Sequence, residues 1–479
     1  MVMGEQTLET QVAVIGGGPG GYASAFRAAD LGFDVALINQ EERLGGVCLL
    51  RGCIPAKVLL EVATLIHDAR DARSWGLDYG EFEIDVGALR ERKDLVIDRL
   101  VNGLGQLADR RDVQVIQARA VFEGSDQVRL QSTEDGGPDV AHVTYDHAIL
   151  ASGSTPIALP GTEFREGGRI MDSKGALALP EIPETLLVVG AGYNGVELGS
   201  AYAVMGSRVT MIEMTGEILP GVDRDLVRRL ARRLRRIYDA IHLNTTVKSL
   251  EEHEDGVTVT LEGDVDEEEQ TFDRVLVAIG RRPNSTDIGL DNTGVKVDED
   301  GFVTVDETRR TDDERIFAVG DVIGGPMLAH KAMRDGKTAA DVIAGEAAAF
   351  DVRCIPSVVY SDPPIAWCGL TEAEAADQGR DIGLGSLPWT ASGRALAMGE
   401  TSGLTKIVFD AETERVLGVG IVGHGAENMI AEGALAVEMG AVAQDLALTI
   451  HPHPSLVETE AEAAEAFLGL ATHITSRRK

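Results

Sequence analysis

The sequence predicts an α/β protein that contains one nucleotide-binding fold twice and ends in a separate α+β domain. Two observations support this prediction. Two short apolar segments each lead into a Gly-x-Gly-x-x-Gly turn at a constant distance along the chain, and from Ala347 onward the pattern changes to strand-like segments followed by a helical one. A chain of 479 residues is too long for one ordinary core, so three or four domains are expected.

The two glycine-rich turns carry the same pattern. Val12–Ile15 leads into Gly16–Gly21, and Leu186–Val189 leads into Gly190–Gly195. In each copy the glycines permit a sharp turn and a close approach of the backbone to a pyrophosphate. The helix that follows offers free N–H groups and the positive end of its dipole to the anion. A single turn of this kind is weak support, because glycine-rich turns also occur in unrelated α/β proteins.

The repeat makes the interpretation specific. One offset, that of 174 residues from Gly16 to Gly190, also relates five further pairs of positions. These pairs are Gly18 and Gly192, Gly21 and Gly195, Gly32 and Gly206, Val35 and Val209, and Asn39 and Glu213. Later, Ala148–Gly153 resembles Val275–Gly280, and each is an apolar strand that ends in glycine. The sequence therefore predicts two tandem Rossmann-like dinucleotide-binding domains, at residues 1–150 and 151–280.

The segments between and after these motifs are assigned from periodicity and composition. The predicted elements are helices over Pro55–Ala72 and near Val86–Ala108, an acidic hairpin around Asp135–Asp139, strand-like alternation over Gly301–Val319, strands at Lys406–Phe409 and Val416–Val422, and a helix over Met429–Met439. The last three belong to the predicted C-terminal α+β domain, residues 347–479.

Composition excludes several classes of protein. No apolar run approaches the roughly 18–20 residues of a membrane span, and the polar segment Met1–Gln11 does not resemble a secretion signal. Four cysteines are too few for a secreted disulfide scaffold, so a reducing, cytoplasmic location is expected. A net charge of −34 argues against nucleic acid or an anionic membrane as partner. The acidic surface is typical of a salt-adapted, halophilic protein; the alternative is a very acidic mesophilic one.

A candidate redox pair follows the first nucleotide-binding unit. Cys48 and Cys53 are five residues apart at a predicted helix start, where two thiols can be bridged within one distorted turn. The helix dipole and Lys57, one turn further on, would lower the pKa of Cys53 and favour a thiolate. The alternative is a pair of inert core residues. No second Cys/His pair has zinc-site spacing, so no metal is expected, and Cys354 and Cys368 are interpreted as solitary, buried apolar residues.

Glu213 predicts the choice of nicotinamide cofactor. It ends the second strand of the second repeat, where a carboxylate can bind both ribose hydroxyls of NAD and repel the extra phosphate of NADP. The arginines of Val227–Ile237 could instead form a phosphate clamp. However, Leu226, Leu230 and Leu234 recur at helical spacing, so the arginines are interpreted as the solvated face of that helix.

Over essentially its whole length the chain resembles the class I pyridine nucleotide–disulfide oxidoreductases. The redox segment Gly45–Lys57 and the doubled glycine motif support this resemblance, together with Ile316–Asp321 and Met327–Ala332. The resemblance implies FAD as a second cofactor beside NAD, with Asp321 on the ribityl chain and Met327–Ala332 along the flavin ring. The candidate cofactor-binding residues are Gly16, Gly18, Gly21, Asn39, Gly46, Lys57, Gly153, Asp321, Met327, Leu328, Ala329, Gly190, Gly192, Gly195, Glu213 and Gly280.

The resemblance also assigns an acid–base pair near the C-terminus. In His451–Glu458 it implies His453 as the base that deprotonates a dithiol and Glu458 as the carboxylate that orients it, while His451 is interpreted as structural. It further implies that Glu197 pairs with Lys57. The candidate catalytic residues are Cys48, Cys53, Lys57, Glu197, His453 and Glu458.

The implied architecture is an obligate homodimer. Residues 281–346 form a central domain that completes the FAD site, and residues 347–479 form the dimerisation domain, which places His453 beside the disulfide of the other subunit. The implied reaction oxidises a protein-bound dihydrolipoyl group, or a similar small dithiol, through Cys48 and Cys53, with FAD and NAD⁺ as acceptors. The partner would be a free dithiol or the lipoyl domain of a 2-oxoacid dehydrogenase complex.

Four residues depart from the family pattern. Asn39 replaces an acid at the FAD ribose, Leu49 and Ala56 replace polar residues around the disulfide, and Asn194 replaces an aliphatic residue at the nicotinamide pocket. They bear on turnover and substrate rather than on fold. The alternatives are another NAD(P)H-dependent disulfide reductase of the family, or a catalytically weak flavoprotein that acts as a binding or redox-sensing subunit.

Overall fold

The computed structural model describes residues 6–133 and 140–475. The acidic hairpin expected around Asp135–Asp139 lies outside the described residues. The chain divides into two compact units. The first comprises Met1–Val58, Asp85–Ile157 and Gly280–Asp351, and the second comprises Leu59–Ile84, Ala158–Ile279 and Val352–Lys479.

The described residues form helices throughout the chain. In order they are α1 Pro19–Asp30, α2 Gly46–Arg51, α3 Cys53–Asp71, α4 Val86–Asp109, α5 Ser173–Ala178, α6 Tyr193–Met205, α7 Arg224–Ile237, α8 Ala329–Ile343, α9 Glu372–Asp377, α10 Gly393–Met398, α11 Ala426–Met439, α12 Ala443–Leu448 and α13 Glu458–Leu468. The predicted helices over Pro55–Ala72, Val86–Ala108 and Met429–Met439 are confirmed as α3, α4 and α11. Among the described residues, no helix is both long enough and apolar enough to cross a membrane.

Strands alternate with these helices. The first half of the chain contains β1 Thr7–Ile15, β2 Val35–Asn39, β3 Gln114–Gln117, β4 Arg119–Gly124, β5 Gln127–Gln131, β6 His142–Leu150, β7 Ser154–Pro156, β8 Ile170–Met171, β9 Thr185–Val189, β10 Arg208–Ile212 and β11 Ala240–His242. The second half contains β12 Thr245–Glu252, β13 Val257–Gly263, β14 Glu269–Phe272, β15 Arg274–Val277, β16 Arg281–Pro283, β17 Ile316–Ala318, β18 Ser357–Val359, β19 Ile365–Gly369, β20 Ile382–Pro388, β21 Leu404–Asp410 and β22 Val416–Val422.

The main sheet of the first unit has strand order β3-β2-β1-β6-β5-β4, and β17 also pairs with β6, while β7 and β16 form a separate two-stranded sheet. Strands β3, β2, β1, β6 and β17 run parallel, whereas β5 and β4 are antiparallel additions. Val12 and Val14 of β1 pack into one apolar cluster, and Ala13 and Ile15 pack into another on the opposite face. A strand covered on both faces needs a continuous apolar run, which is the pattern that β1 shows.

The second unit contains a second parallel sheet and two antiparallel ones. The parallel sheet has the order β11-β10-β9-β15-β8, and it is accompanied by the antiparallel sheet β12-β13-β14. The third sheet, β18-β19-β22-β21-β20, is antiparallel and belongs to the C-terminal region. Helix α11 packs on β19 and β22, and α13 packs on β20 and β21. The predicted fold class, two parallel nucleotide-binding sheets and a C-terminal α+β region, is confirmed.

The strand-like alternation expected over Gly301–Val319 is largely wrong. Only β17 is a strand there, and the rest of the segment is turns with isolated bridges. Aspartates explain the difference, because their short side chains accept hydrogen bonds from the local backbone and stabilise turns. Asp306 Oδ1 accepts the N–H groups of Thr308 and Arg310 at 2.8 and 3.0 Å, and Asp313 Oδ1 accepts that of Arg315 at 3.1 Å.

Candidate functional site

The first glycine motif forms a turn between β1 and α1 that only glycine can build. Gly16 has φ +111°, and a Cβ there would overlap the carbonyl oxygen of Ala151, the residue after β6. A Cβ on Gly21 would overlap the carbonyl oxygen of Gly16. Gly18 precedes α1, and no side chain caps the helix. The N–H groups of the first turn of α1 are therefore available to a phosphate anion.

The second motif repeats this geometry between β9 and α6. Gly190 has φ +102°, and a Cβ there would lie 2.6 Å from the carbonyl oxygen of Ala278. A Cβ on Gly195 would overlap the carbonyl oxygen of Gly190. Gly192 precedes α6 without a side-chain cap. Ala151 and Ala278 occupy matching positions in the two sequence repeats. Each motif therefore packs its first glycine against the same carbonyl oxygen of its own repeat.

Asn39 and Glu213, which the repeat relates, hold their glycine motifs in the same way. Asn39 Oδ1 accepts the N–H of Gly17 at 3.0 Å, and Glu213 Oε2 accepts the N–H of Ala191 at 2.8 Å. The Asn39 amide nitrogen also donates to the carbonyl oxygens of Glu41 and Arg43, at 2.6 and 3.0 Å. A carboxylate could not make these donations. Asn39 therefore stabilises the loop after β2 in a way that an acid at this position would not.

The redox segment is anchored to the first glycine motif. Gly45 donates its N–H to the carbonyl oxygen of Gly17 at 2.8 Å. Gly46 has φ +58°, and a Cβ on it would come within 2.6 Å of the Gly18 Cα. Helix α2 ends at Arg51, and a side chain on the next residue, Gly52, would crowd the carbonyl oxygen of Val47. These glycines bring the segment that holds the two cysteines directly against the phosphate-binding turn.

Cys48 lies in α2, and Cys53 begins α3. Both are reduced, Cys48 partly buried and Cys53 exposed. The Cys48 thiol donates a hydrogen bond to the Cys53 sulfur, and this bond, together with burial, raises the pKa of Cys48, while Lys57 lowers it. The proton therefore stays on Cys48, and negative charge develops first on Cys53.

Three residues that the sequence analysis missed adjoin this region, and each directly follows a predicted site glycine. Tyr22 follows Gly21, and burial together with the charges of Cys48 and Cys53 raises its pKa to about 12. Ser154 follows Gly153, and Arg281 follows Gly280. Their position immediately after a predicted site glycine is the sequence signal that could have identified these three residues.

Ser154 and Arg281 orient the carboxylate of Asp321. Asp321 lies in a 3-10 turn over Gly320–Ile323, and its Oδ2 accepts a hydrogen bond from Ser154 Oγ at 2.5 Å. Arg281 Nε donates to the same Ser154 Oγ at 2.7 Å. Met327 and Leu328 then lead into α8, which begins at Ala329. The first unit thus contains the glycine motif, the thiol pair and Asp321.

The C-terminal region holds the predicted acid–base pair. His453 Nδ1 lies 2.8 Å from Glu458 Oε1, and Glu458 Oε2 accepts the N–H of Ser455 at 2.6 Å. Burial opposes the charge of Glu458, but the Ser455 N–H and His453 outweigh it and hold the pKa of this carboxyl below its usual value. With Nδ1 on the carboxylate, Nε2 of the exposed His453 ring points away from Glu458. His451 differs, because its two ring nitrogens contact Glu432 Oε1 at 2.7 Å and the Thr449 carbonyl at 2.9 Å.

Comparison with known proteins agrees with this geometry. Residues 10–336 match the family model described as pyridine nucleotide-disulphide oxidoreductase, and residues 355–464 match the dimerisation domain of the same family. The chain belongs to the pyridine nucleotide–disulphide oxidoreductase family. Two parallel nucleotide-binding sheets and a thiol pair next to one of them agree with that membership.

Relatives within the family match along the whole chain. A dihydrolipoyl dehydrogenase of Vibrio parahaemolyticus is 42% identical over 472 residues, which is 98% of each chain. A dihydrolipoyl dehydrogenase of Halobacterium salinarum is 42% identical over 479 residues, which is 100% of each. Among solved structures, LpdA from Mycobacterium tuberculosis is 27% identical with a TM-score of 0.87, covering 95% of this chain and 99% of that one. The HOCl-induced flavoprotein disulfide reductase RclA from Escherichia coli is 29% identical with a TM-score of 0.83, covering 95% of this chain and 99% of that one.

The remaining predicted residues of this family member lie as follows. Lys57 is on α3 in the first unit, and Glu197 is buried on α6 in the second, where its Oε1 accepts the N–H of Tyr360 at 2.9 Å. Their pairing stays a prediction. In α7, Leu226, Leu230 and Leu234 are buried as expected. Its outer arginines are exposed, namely Arg228, Arg232, Arg235 and Arg236.

The prediction that Cys354 and Cys368 are solitary is wrong. The Cys368 thiol hydrogen-bonds the Cys354 sulfur. The sequence separates the two cysteines by a turn, and the pairing of β18 with β19 brings them together. Strand pairing of this kind depends on a register that no local sequence signal specified.

An acidic cluster in the second unit holds a lysine. Asp223, Asp225 and Glu372 are the described residues whose oxygens lie close enough together to share a cation. Lys406 Nζ contacts all three, at 2.7, 2.8 and 2.6 Å. The buried ammonium group therefore neutralises part of this cluster.

Proposed function

We propose that this protein is a dihydrolipoyl dehydrogenase. It would oxidise a protein-bound dihydrolipoyl group, or a similar small dithiol, to the disulfide and convert NAD⁺ to NADH. The observation that supports this most directly is the Cys48–Cys53 pair, held against a phosphate-binding turn with its proton on Cys48. Relatives named dihydrolipoyl dehydrogenase, 42% identical along nearly the full chain, favour this member of the family.

The residues present fit the two expected cofactors. The uncapped N-terminus of α1 and the carboxylate of Asp321 suit the pyrophosphate and ribityl chain of FAD, and the uncapped N-terminus of α6 with Glu213 suits NAD. FAD, held by these residues, would supply the two-electron carrier between the thiol pair and NAD⁺. The chain itself positions the sulfurs and controls their protons.

The first half of the reaction is a thiol–disulfide exchange. With Cys48 and Cys53 as a disulfide, a substrate thiolate attacks the Cys48 sulfur and releases Cys53 as a thiolate. The second substrate sulfur then attacks the first, which closes the substrate disulfide and releases Cys48. The pKa values support this order, because the Cys48 pKa is raised and Cys48 takes up a proton readily, whereas Cys53 accepts its hydrogen bond and keeps the charge.

His453 would remove the substrate proton. In the proposed homodimer it acts beside Cys48 of the other subunit, and Glu458 holds its ring so that Nε2 can accept a proton. The match of residues 355–464 to a dimerisation domain supports the dimer. Lys57 and Glu197 are proposed as an ion pair near the flavin.

The wider setting is proposed from charge and thiol content. The substrate is the lipoyl domain of a 2-oxoacid dehydrogenase complex or a free dithiol. Four cysteines, too few for a secreted disulfide scaffold, fit the cytoplasm, where the enzyme would contribute to redox homeostasis, and the charge of −34 fits a halophilic source.

Steady-state turnover of dihydrolipoamide with NAD⁺ tests the proposal, and His453→Gln tests the base. Loss of a general base lowers rates by about 10²–10⁴-fold, so kcat/KM for the dithiol should fall by that range. The matched control is His473→Gln, since His473 Nδ1 also lies 2.8 Å from a carboxylate, that of Glu462, and should leave turnover unchanged. A wild-type protein that reduces glutathione disulfide with NADPH but ignores dihydrolipoamide would contradict the proposal, as would a folded flavoprotein without either activity.

A further inference from the structure

A second pair of thiols lies in the C-terminal region, apart from Cys48 and Cys53 in the chain. Cys354 precedes β18, and Cys368 lies on β19. In the register of β18 and β19, Ser357 pairs with Trp367 and Val358 with Ala366, so Cys368 lies beside the start of β18, which follows Cys354 by three residues. Both side chains adjoin one apolar cluster, to which Cys368 belongs and against which Cys354 packs.

The segment that holds Cys354 is fixed by hydrogen bonds to α11. Glu438 Oε1 accepts the N–H groups of Arg353 and Cys354, at 2.8 and 3.1 Å. The Cys354 sulfur itself lies 3.7 Å from the carbonyl oxygen of Ala434. Cys368 packs in the apolar cluster between the sheet and α11. The surrounding structure therefore fixes both cysteines next to α11.

The two thiols are chemically unequal. Cys368 is buried and donates its hydrogen bond to Cys354, so its pKa is raised by that bond, by burial and by the charge of Cys354. Cys354 is half-buried, and the bond that it accepts lowers its pKa. Cys48 and Cys53 show the same division into a protonated donor and a sulfur that accepts. A dithiol needs this division to react stepwise, with one sulfur as nucleophile and the other as the resolving thiol.

We propose that Cys354 and Cys368 form a second redox-active dithiol site, which a hydroperoxide converts to an intrachain disulfide. The Cys354 thiolate attacks one oxygen of the peroxide. The O–O bond breaks, Cys354 becomes a sulfenic acid, and the other oxygen leaves as water or an alcohol after it takes a proton. The Cys368 thiol then attacks the Cys354 sulfur, loses its proton and displaces hydroxide, which leaves as water. Two thiols are oxidised by two electrons, and one hydroperoxide is reduced.

The bridge would join the segment before β18 to the core of the sheet. Its closed loop, residues 354–368, is short, and the disulfide restricts the unfolded chain. The site does not depend on the reaction proposed for Cys48 and Cys53. Its oxidation should raise the thermal midpoint of unfolding by several degrees and leave dithiol turnover little changed once Cys48 and Cys53 are reduced again.

Peptide mapping of the full-length holoenzyme tests this inference. Arg353 directly precedes Cys354, and the next Lys or Arg is Arg380, so trypsin releases both cysteines on the single peptide Cys354–Arg380. Before treatment the peptide should take two alkyl groups. After hydrogen peroxide it should take none and have lost two hydrogens, and a reductant should restore both thiols.

Two single variants test the order of the steps. In Cys368→Ser, a dimedone-type probe should trap a sulfenic acid on Cys354, because the resolving thiol is gone. In Cys354→Ser, Cys368 should stay a thiol over the same time. If wild-type Cys354 and Cys368 both remain alkylatable under peroxide that oxidises Cys48 and Cys53, or if Cys354 proceeds to a sulfinic acid without a bridge, the inference is overturned. That measurement uses the wild-type protein, so it tests the inference even if a variant fails to fold.

Discussion

At the scale of single residues, the two cysteines of the Cys48–Cys53 pair have different roles, because Cys48 donates the hydrogen bond between them and Cys53 accepts it. Replacement of Cys53 by serine removes both the accepting sulfur and its negative charge. We expect the pKa of Cys48 to fall toward that of an ordinary thiol, since the hydrogen bond that raises it most is lost together with the Cys53 charge. The rate of Cys48 alkylation against pH measures this. In the reduced wild-type protein, Cys53 should be alkylated first at neutral pH; faster alkylation of Cys48 would reverse the assignment.

Glu213 decides between the two nicotinamide cofactors and also holds its loop, because its two oxygens accept the N–H groups of Ala191 and Thr215. Glu213→Arg should shift the ratio of kcat/KM values from NAD toward NADP, by about 10²-fold if the change is worth roughly 3 kcal/mol. Glu213→Gln is the comparison variant of the same size, since it removes the charge and one of the two accepting oxygens without adding a positive charge, and its shift should be smaller. Equal use of NADH and NADPH by the wild-type enzyme would remove Glu213 from this role.

Glu460 on α13 has a fully buried carboxyl whose two oxygens have no hydrogen-bond partner among the described residues, and burial raises its pKa to about 9. Between its ordinary pKa and about 9, the folded state holds a proton that the unfolded state has lost, so the free energy of unfolding falls as pH rises. Glu460→Gln cannot ionise and lacks this slope. The stability of the variant relative to wild type should therefore increase from about pH 5 to about pH 9, by up to about 1.4 kcal/mol per pH unit. Urea unfolding across this range would show parallel curves if Glu460 were ionised in the folded protein.

At the scale of helices and strands, Lys406 of β21 joins three elements of the second unit by its contacts with Asp223 and Asp225 at the start of α7 and Glu372 at the start of α9. Lys406→Met would leave these carboxylates without their buried counter-charge and should lower the free energy of unfolding by about 3–5 kcal/mol. The control is Lys296→Met, because the Lys296–Asp312 pair is exposed and such pairs contribute about 0–1 kcal/mol. Equal losses in the two variants would show that the cluster does not depend on its lysine.

The pH dependence of the same cluster has a definite sign. Burial opposes the charge of Lys406, but hydrogen bonds to the three carboxylates outweigh it and raise its pKa. A lysine with a raised pKa in the folded state stabilises the protein below its ordinary pKa, and this contribution is lost as pH rises through the folded value. The stability difference between wild type and Lys406→Met should therefore be constant near neutral pH and shrink only in strong alkali.

The same scale shows what the sequence can and cannot predict. The glycine motifs, the helix at Cys53 and the strands of the parallel sheets follow from local patterns, since a turn, a cap or an apolar run is specified by adjacent residues. The expectation for Gly301–Val319 is wrong because aspartate side chains, and not a neighbouring strand, accept backbone hydrogen bonds there. The expectation for Cys354 and Cys368 is wrong because a contact across β18 and β19 depends on strand register. Asn39 stands out in the sequence as a departure, but the donations to Glu41 and Arg43 that explain it require coordinates.

At the scale of the whole molecule, charge dominates. The net charge of −34 per chain doubles in the proposed homodimer, and like charges on the two subunits repel over a Debye length of about 10 Å at 0.1 M salt but only about 3 Å at 1 M. The proposed active site requires His453 of one subunit beside Cys48 of the other. Dissociation at low salt would therefore remove the base from the disulfide, while the two glycine motifs and Glu213 remain within one folded chain.

As the concentration of potassium chloride is lowered, dithiol turnover should therefore be lost before the protein unfolds. NADH-dependent reduction of an artificial electron acceptor, which needs the nucleotide sites of one chain only, should persist further down the series. Sedimentation and both assays across the series measure the order of loss. Sucrose at low salt is the control, since it favours compact states without screening charge and should not restore the dimer. A dimer that stays intact and fully active at ~0.1 M salt would show that the acidic surface does not govern this interface.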